Sequence, residues 1–196
     1  MPADRIKRVA RDERLARHIG FWWGFAEGLA FFIVPDVYIG FATLFSLRAG
    51  AVAWLFSMLG SLAGVCSIYL LVAILAIPYV DFLDAIPGIS RALVEQTAVT
   101  VTADGLPVTP FLIFSGVPLK VYAALAFTFG STLGAVLLWT AFARVVRIAP
   151  VYLLLALVRV VFRRSIDAHA AAWSALHAIC WVAFYVFYFM RMRLVS

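Results

Sequence analysis

The chain has 196 residues, 65% hydrophobic and only 13% charged, where a soluble domain is ~45–50% apolar and ~25% charged. A water-soluble fold of this size cannot hide so much apolar surface, so the expected solvent is lipid, and the length leaves room for one membrane domain with a short polar head. The net charge of +6 sits at the ends of apolar runs and reports topology; with no basic stripe interleaved with stacking aromatics, nucleic-acid binding is excluded as a function class.

Residues 1–18 form a basic head in which Arg5, Lys7, Arg8, Arg11, Arg14 and Arg17 outnumber Asp4, Asp12 and Glu13. A short amphipathic helix on the membrane surface is expected there, with the N-terminus cytoplasmic by its positive charge. The apolar run that follows is too long for the core of a signal peptide and contains acids, so no cleavable leader is expected.

Residues 19–47 are apolar but carry Glu27, Pro35 and Asp36 near the middle. A straight span would place two acids in hydrocarbon and break a hydrogen bond at Pro35, and two full spans need ~40 residues. A re-entrant hairpin resolves this, entering from the cytoplasm, turning at Val34-Pro35-Asp36 and returning to Arg48. Residues 50–77 read as a transmembrane helix with small faces at Gly50, Gly60, Ala63 and Gly64, ended by Pro78. Residues 78–107 are an outer loop in which Asp81, Asp84, Glu95 and Asp104 outnumber Arg91; Pro87-Gly88 and Asp104-Gly105 mark turns, and Thr97 to Thr102 reads as briefly extended.

A second broken apolar stretch, 108–126, carries Gly116, Pro118 and Lys120 and is read as a second re-entrant hairpin. A transmembrane helix over 127–147 ends at Arg144 and Arg147, an interfacial stretch occupies 148–164 with Arg159, Arg163 and Arg164, and a last transmembrane helix runs over 169–190 with an aromatic end. Arg191 and Arg193 follow it, so both flanks are basic and the side of the C-terminus stays open. Cys66 and Cys180 are expected as small buried hydrophobes, and His169 and His177, eight apart, as helix-packing residues. No clustered Cys or His points to a metal, and no cofactor is expected.

The two halves repeat at an offset of 84. Val37-Tyr38 recurs as Val121-Tyr122, Ala42 as Ala126, Phe45 as Phe129, and Gly50-Ala51-Val52 as Gly134-Ala135-Val136, while Val34-Pro35 recurs as Val117-Pro118 one residue out of step. The first copy starts from the cytoplasm and the second follows the outer loop, which is the layout of an inverted repeat; broken segments in such repeats mark the substrate site. Asp36 corresponds to Lys120, and two opposite charges at equivalent places are expected to meet at the centre, intramembrane charges being functional candidates by default.

Trp23-Gly24-Phe25-Ala26-Glu27 and Phe31-Phe32-Ile33-Val34-Pro35-Asp36-Val37 resemble the first hairpin of the DedA superfamily, also called VTT or SNARE-associated membrane proteins. Ser115-Gly116-Val117-Pro118-Leu119-Lys120-Val121-Tyr122 and Ala143-Arg144-Val145-Val146-Arg147 are similar to the second hairpin and helix of its small YqaA-like branch, the likeness covering roughly 20–150. The resemblance implies two facing re-entrant hairpins, a bacterial inner-membrane location, and a lipid translocase or scramblase that moves undecaprenyl phosphate or another phospholipid with proton coupling. It implies membrane-embedded acids at Glu27 and Asp36. Larger members carry an arginine in the second hairpin, where Lys120 is here the only base. On this reading Lys120, with Arg144 or Arg147 at the inner mouth, attracts the phosphate, and the acids exchange protons. A solute or ion transporter built on the same hairpins, and a non-transporting assembly protein or homo-oligomer, are the competing classes. An enzyme is the weakest, since no Ser/His or paired-Asp spacing is present.

Overall fold

The computed structural model describes residues 2–106 and 116–195, and these are helical with no strand among them. The elements are α1 Pro2–Arg11, α2 Glu13–Leu29, α3 Asp36–Phe45, α4 Leu47–Tyr69 with a π-helical turn Leu70–Ile74, a 3-10 segment Tyr79–Ala85, and α5 Arg91–Asp104. After 107–115, which lie outside the described residues, come α6 Leu119–Thr128, α7 Leu133–Val161, α8 Arg163–Ala168 and α9 Ala170–Val195. Among the described residues three helices are long and apolar enough to cross a membrane: Leu47–Ile74, Leu133–Val161 and Ala170–Met190. Large apolar side chains such as Leu138, Leu153, Val182 and Phe187 point outward on them, a surface that suits hydrocarbon and not water.

The apolar run 19–47 is two helices joined by a break. Asp12 starts α2, its carboxylate accepting from the N–H groups of Arg14 and Leu15. Ala30 and Phe31 both donate to the carbonyl of Ala26, which ends the helix, and Pro35 caps α3 with no free N–H of its own. The α2 and α4 helices run parallel and close. A β-carbon added at Gly20 would meet Ala53, at Gly24 Ser57, and at Gly28 Ser61, while Gly60 and Gly64 receive the backbone of Phe21 and Phe25. Small residues on both helices permit this approach, and Ser61 Oγ donates across it to the Gly24 carbonyl. With α2 and α4 parallel, α3 returns between them, and the start of α2 meets the start of α4 through Glu13 and Arg48 at 2.9 Å. Gly28, just before the break, lies against Ser61, which is 14 residues from Leu47 and 13 from Ile74.

This contact gives a direct test. A β-carbon at Gly24 would sit 2.1 Å from the Ser57 backbone oxygen, so Gly24→Ala must push two helix backbones apart. Overpacking of this kind costs ~1–3 kcal/mol, and thermal unfolding in detergent should fall accordingly, whereas Gly134→Ala, whose would-be β-carbon meets no described residue beyond its own stretch of helix within 4 Å, should be near neutral.

The second half has the same parts in the same order. The α6 helix is offset from α3 by 83 at both ends and, like it, has 10 residues, a proline cap and a long apolar helix after it. Its direction differs. Lys120 at its start reaches the Phe31 carbonyl in the α2–α3 break, and Phe127 near its end packs on Tyr69 near the end of α4. The α3 helix runs the other way, its Thr43 lying against Gly50 at the start of α4. The two short helices thus begin at the same break and diverge. The following helix α7 is antiparallel to α4: it begins soon after Phe127, and its Tyr152 packs at a tilt against Trp54 and donates to the Leu47 carbonyl.

Several boundaries differ from the sequence reading. The helix expected over 127–147 starts at Leu133, because Gly130 with a φ of +83° makes a turn after α6 and Thr132 Oγ1 caps the new helix at the Ala135 N–H. It then continues through the expected interfacial stretch to Val161, with Pro150 inside it. Thr97 to Thr102 are helical, not extended; Thr97, Thr100 and Thr102 each donate to the carbonyl four residues back, which satisfies their hydroxyls within the helix. Cys66 and Cys180 are exposed, not buried, on outward faces where a weakly polar thiol is tolerated. His169 precedes α9 and is exposed, so only His177 packs between helices.

The head is helical as expected and is tied to the far end of the chain. Arg11 and Arg159 both bind the Asp167 carboxylate, at 2.8 and 3.0 Å, joining α1 to α7 and α8. The Arg159 hydrogen bond, aided by the charges of Arg159, Arg11 and Lys7, holds that carboxyl below its usual range. A depressed carboxyl contributes stability that is complete above its unfolded value, ~3.9, and is lost as pH falls through the folded one. Asp167→Asn should therefore unfold at lower temperature than the parent at pH 7, and the gap should close as the pH drops below ~4.

Candidate functional site

Glu27, Asp36, Lys120, Arg144 and Arg147 gather around the α2–α3 break, with partners other than those expected. Glu27 is 3% exposed, on the α2 turn between Gly24 and Gly28, and Arg144 is 1% exposed on α7; the two form a buried ion pair. Asp36 opens α3 and lies 3.9 Å from Arg147, whose side chain is 27% exposed. Lys120 opens α6 and donates to the Phe31 carbonyl at 3.1 Å. The expected pairing of Asp36 with Lys120 is therefore replaced by acid–arginine pairs contributed by α7. The offset relates Asp36 to Lys120 but carries no information about α7, whose arginines reach both acids.

Arg144 and Arg147 lie inside a continuous helix and not at its end. Arg147 is 14 residues from either end of Leu133–Val161, and the two arginines, three apart, share one face of that helix. In the sequence they stand at the end of an apolar run, just before Pro150, where a surface anchor would stand. Burial of Arg144 against Glu27 rules that role out for it, because a buried charge needs a specific partner.

The elements that hold these side chains leave local positive ends. Pro35 and Pro118 cap α3 and α6 without a side-chain hydrogen bond, and each helix start carries a partial positive charge. Both starts lie at the break, together with Lys120, Arg144 and Arg147: three bases against the two acids Glu27 and Asp36. Nε and Nη1 of Arg144 have no hydrogen-bond acceptor among the described residues, and the hydroxyls of Ser57 and Thr140 are likewise buried without one. A small cavity of about 20 Å³ opens beside both arginines, walled by Val117, Leu119, Tyr122 and Trp139. Gly116, with a φ of +88°, turns the chain into that wall; the earlier part of the expected second hairpin, 108–115, lies outside the described residues. The arrangement is suited to binding an anion at mid-length of the spanning helices, since buried donors lacking acceptors are costly unless a ligand supplies them.

The sequence reading missed the contacts that hold the break open. The Val34 N–H, left free before α3, donates to the Tyr185 hydroxyl on α9 at 2.8 Å. His177, one hydrogen-bond length (2.9 Å) from the Val37 carbonyl, fills the space over Gly40. Trp23 Nε1 donates to the Ile33 carbonyl, and the Tyr79 hydroxyl to that of Leu29. Irregular backbone at this depth requires such partners, but they come from 10 to 151 residues away and leave no local signal beyond the aromatic enrichment of α9. Tyr188 of α9 also reaches Gly88, so this helix ends on the face that carries the α4–α6 connection, opposite α1. No protein-family model, curated protein or solved structure matches the chain.

Proposed function

We propose that the protein is a lipid translocase or scramblase that moves a phosphate-bearing lipid across the bilayer, with protons exchanged at the central acids. The observation that carries this reading is the cluster at the α2–α3 break: Lys120, Arg144 and Arg147, joined by the starts of α3 and α6, at the midpoint of helices that can span a membrane. Charged groups at such depth are expensive and mark a path for a polar group. The excess of positive charge favours an anion, and the guanidinium fork of Arg147, partly exposed, suits a phosphate.

The two acids divide the work. Glu27 is held by the buried Arg144 and fixes the cluster. Asp36, held loosely by Arg147, is released when a phosphate takes the guanidinium, and can then accept a proton. The geometry of α2–α3 supports a re-entrant hairpin entering from the α1 side, and the divergent α3 and α6 support an inverted repeat, the layout of transporters with a central site. The likeness of roughly 20–150 to the DedA superfamily supports the same reading and a bacterial inner membrane with the N-terminus cytoplasmic.

The test is a flip assay on reconstituted protein, with fluorescent lipids that differ only in head group. Lipids with a phosphate monoester should move faster than uncharged ones by ~10-fold or more, the ratio that 1.4 kcal/mol of selectivity gives. Asp36→Asn should remain folded and lose the pH dependence of transport. An unchanged pH profile in that variant would remove the proton role, and movement of small ions with no lipid movement would favour a solute channel.

A further inference from the structure

Beside the charged cluster, between the α2–α3 break and α9, lies an apolar groove of about 660 Å³, within the ~300–1,000 Å³ of ligand sites. Trp23, Phe32 and Ile33 form one wall and Trp181, Val182 and Phe189 the other. Its polar backbone is already satisfied: the Ile33 carbonyl accepts from Trp23, and the Val34 N–H donates to Tyr185. The groove therefore presents hydrocarbon almost throughout. Water has no partners in such a space.

From the proposed anionic-lipid reading, on which this step rests, we infer that the groove seats one hydrocarbon chain of the lipid whose head group is held at Arg147. The length fits. On α9 the groove runs from Ala178 to Met190, 12 residues or ~18 Å at 1.5 Å per residue, close to the ~15 Å hydrocarbon depth of one leaflet. The charge fits as well. Val37 lines the groove, and Asp36, next to it in the chain, lies 3.9 Å from Arg147, so a chain in the groove leaves its head group beside the one partly exposed guanidinium of the cluster. An uncharged lipid gains the groove but not that contact. Tyr185 and His177 latch α9 to the break and so set the width of the slot.

The experiment uses the full chain in phosphatidylcholine vesicles with trace photoactivatable lipid carrying a diazirine in one acyl chain. One probe is a phosphatidic acid; the other is the diacylglycerol with the same tails. Peptide mapping should place the phosphatidic-acid adducts on the groove residues of the break and of α9, exceeding the diacylglycerol adducts by ~10-fold. Val182→Trp, at a site 63% exposed and so tolerant of bulk, should abolish this labelling, Arg147→Gln should reduce it to the diacylglycerol level, and Leu157→Trp, exposed on α7, should leave it intact. Equal labelling by both probes, adducts spread over the outward face of α7, or chain-to-chain cross-links at position 182 that exclude the probe would each overturn the inference. Labelling is read at equilibrium and lipid flipping separately. Selective labelling without flipping would thus sink the translocase reading alone, and flipping without selective labelling would sink the groove alone.

Discussion

Arg144→Ala is expected to destabilise the protein by ~3–5 kcal/mol, because it leaves the Glu27 carboxylate buried without a partner. Glu27→Ala should cost a similar amount, stranding a guanidinium that is 1% exposed. The double variant Glu27→Leu with Arg144→Met removes both charges and keeps the volume, and should be more stable than either single variant, since replacing a whole buried pair by apolar groups is often neutral. The measurement is a double-mutant cycle on thermal or denaturant unfolding in detergent. Two comparisons sharpen it. Asp36 and Arg147 are 3.9 Å apart with Arg147 partly exposed, so their coupling should be well below that of Glu27 and Arg144. Asp36 and Lys120 have different partners, so their effects should add. Strong coupling between Asp36 and Lys120, or none between Glu27 and Arg144, would mean that the cluster is wired by the repeat offset after all.

What the sequence revealed and what it hid follow from the range of the interactions. The break at Val34-Pro35-Asp36 was legible because proline and two acids in an apolar run are local conflicts with a straight span. The small faces of α4 at Gly60 and Gly64 were legible too, and both meet α2. The matching stripe Gly20, Gly24, Gly28 was equally visible at a spacing of four, but it lay in a segment already read for its acids. The charged residues that gather at the break stand out in the sequence, since rare charges in apolar surroundings announce themselves. Their pairing does not. Arg144 and Arg147 look like any positive flank, and only the continuation of α7 through Pro150 to Val161 turns them from a helix end into a helix centre. The latches from His177 and Tyr185 connect positions 140 and 151 residues apart, and no periodicity encodes such a contact.

The proposed hairpin predicts an all-or-none result. Single cysteines at positions 18 and 48, in a background where the exposed Cys66 and Cys180 are replaced by alanine, should both react with a membrane-impermeant thiol reagent from the same side. Native His18 and Arg48 are exposed, and Glu13 and Arg48 touch at 2.9 Å, so the two ends of the stretch 19–47 lie close together. Replacing Arg48 removes an exposed ion pair worth ~0–1 kcal/mol, too little to rearrange the fold. A cysteine in place of Thr100, exposed on α5, should react from the other side, because α4 carries the chain across between them. On the proposed topology the first side is the cytoplasm. Positions 18 and 48 labelled from opposite sides would mean that α2 and α3 cross the bilayer. Glu27 and Asp36 would then sit on an ordinary span, and the central site would lose the broken segment that brings the starts of α3 and α6 together.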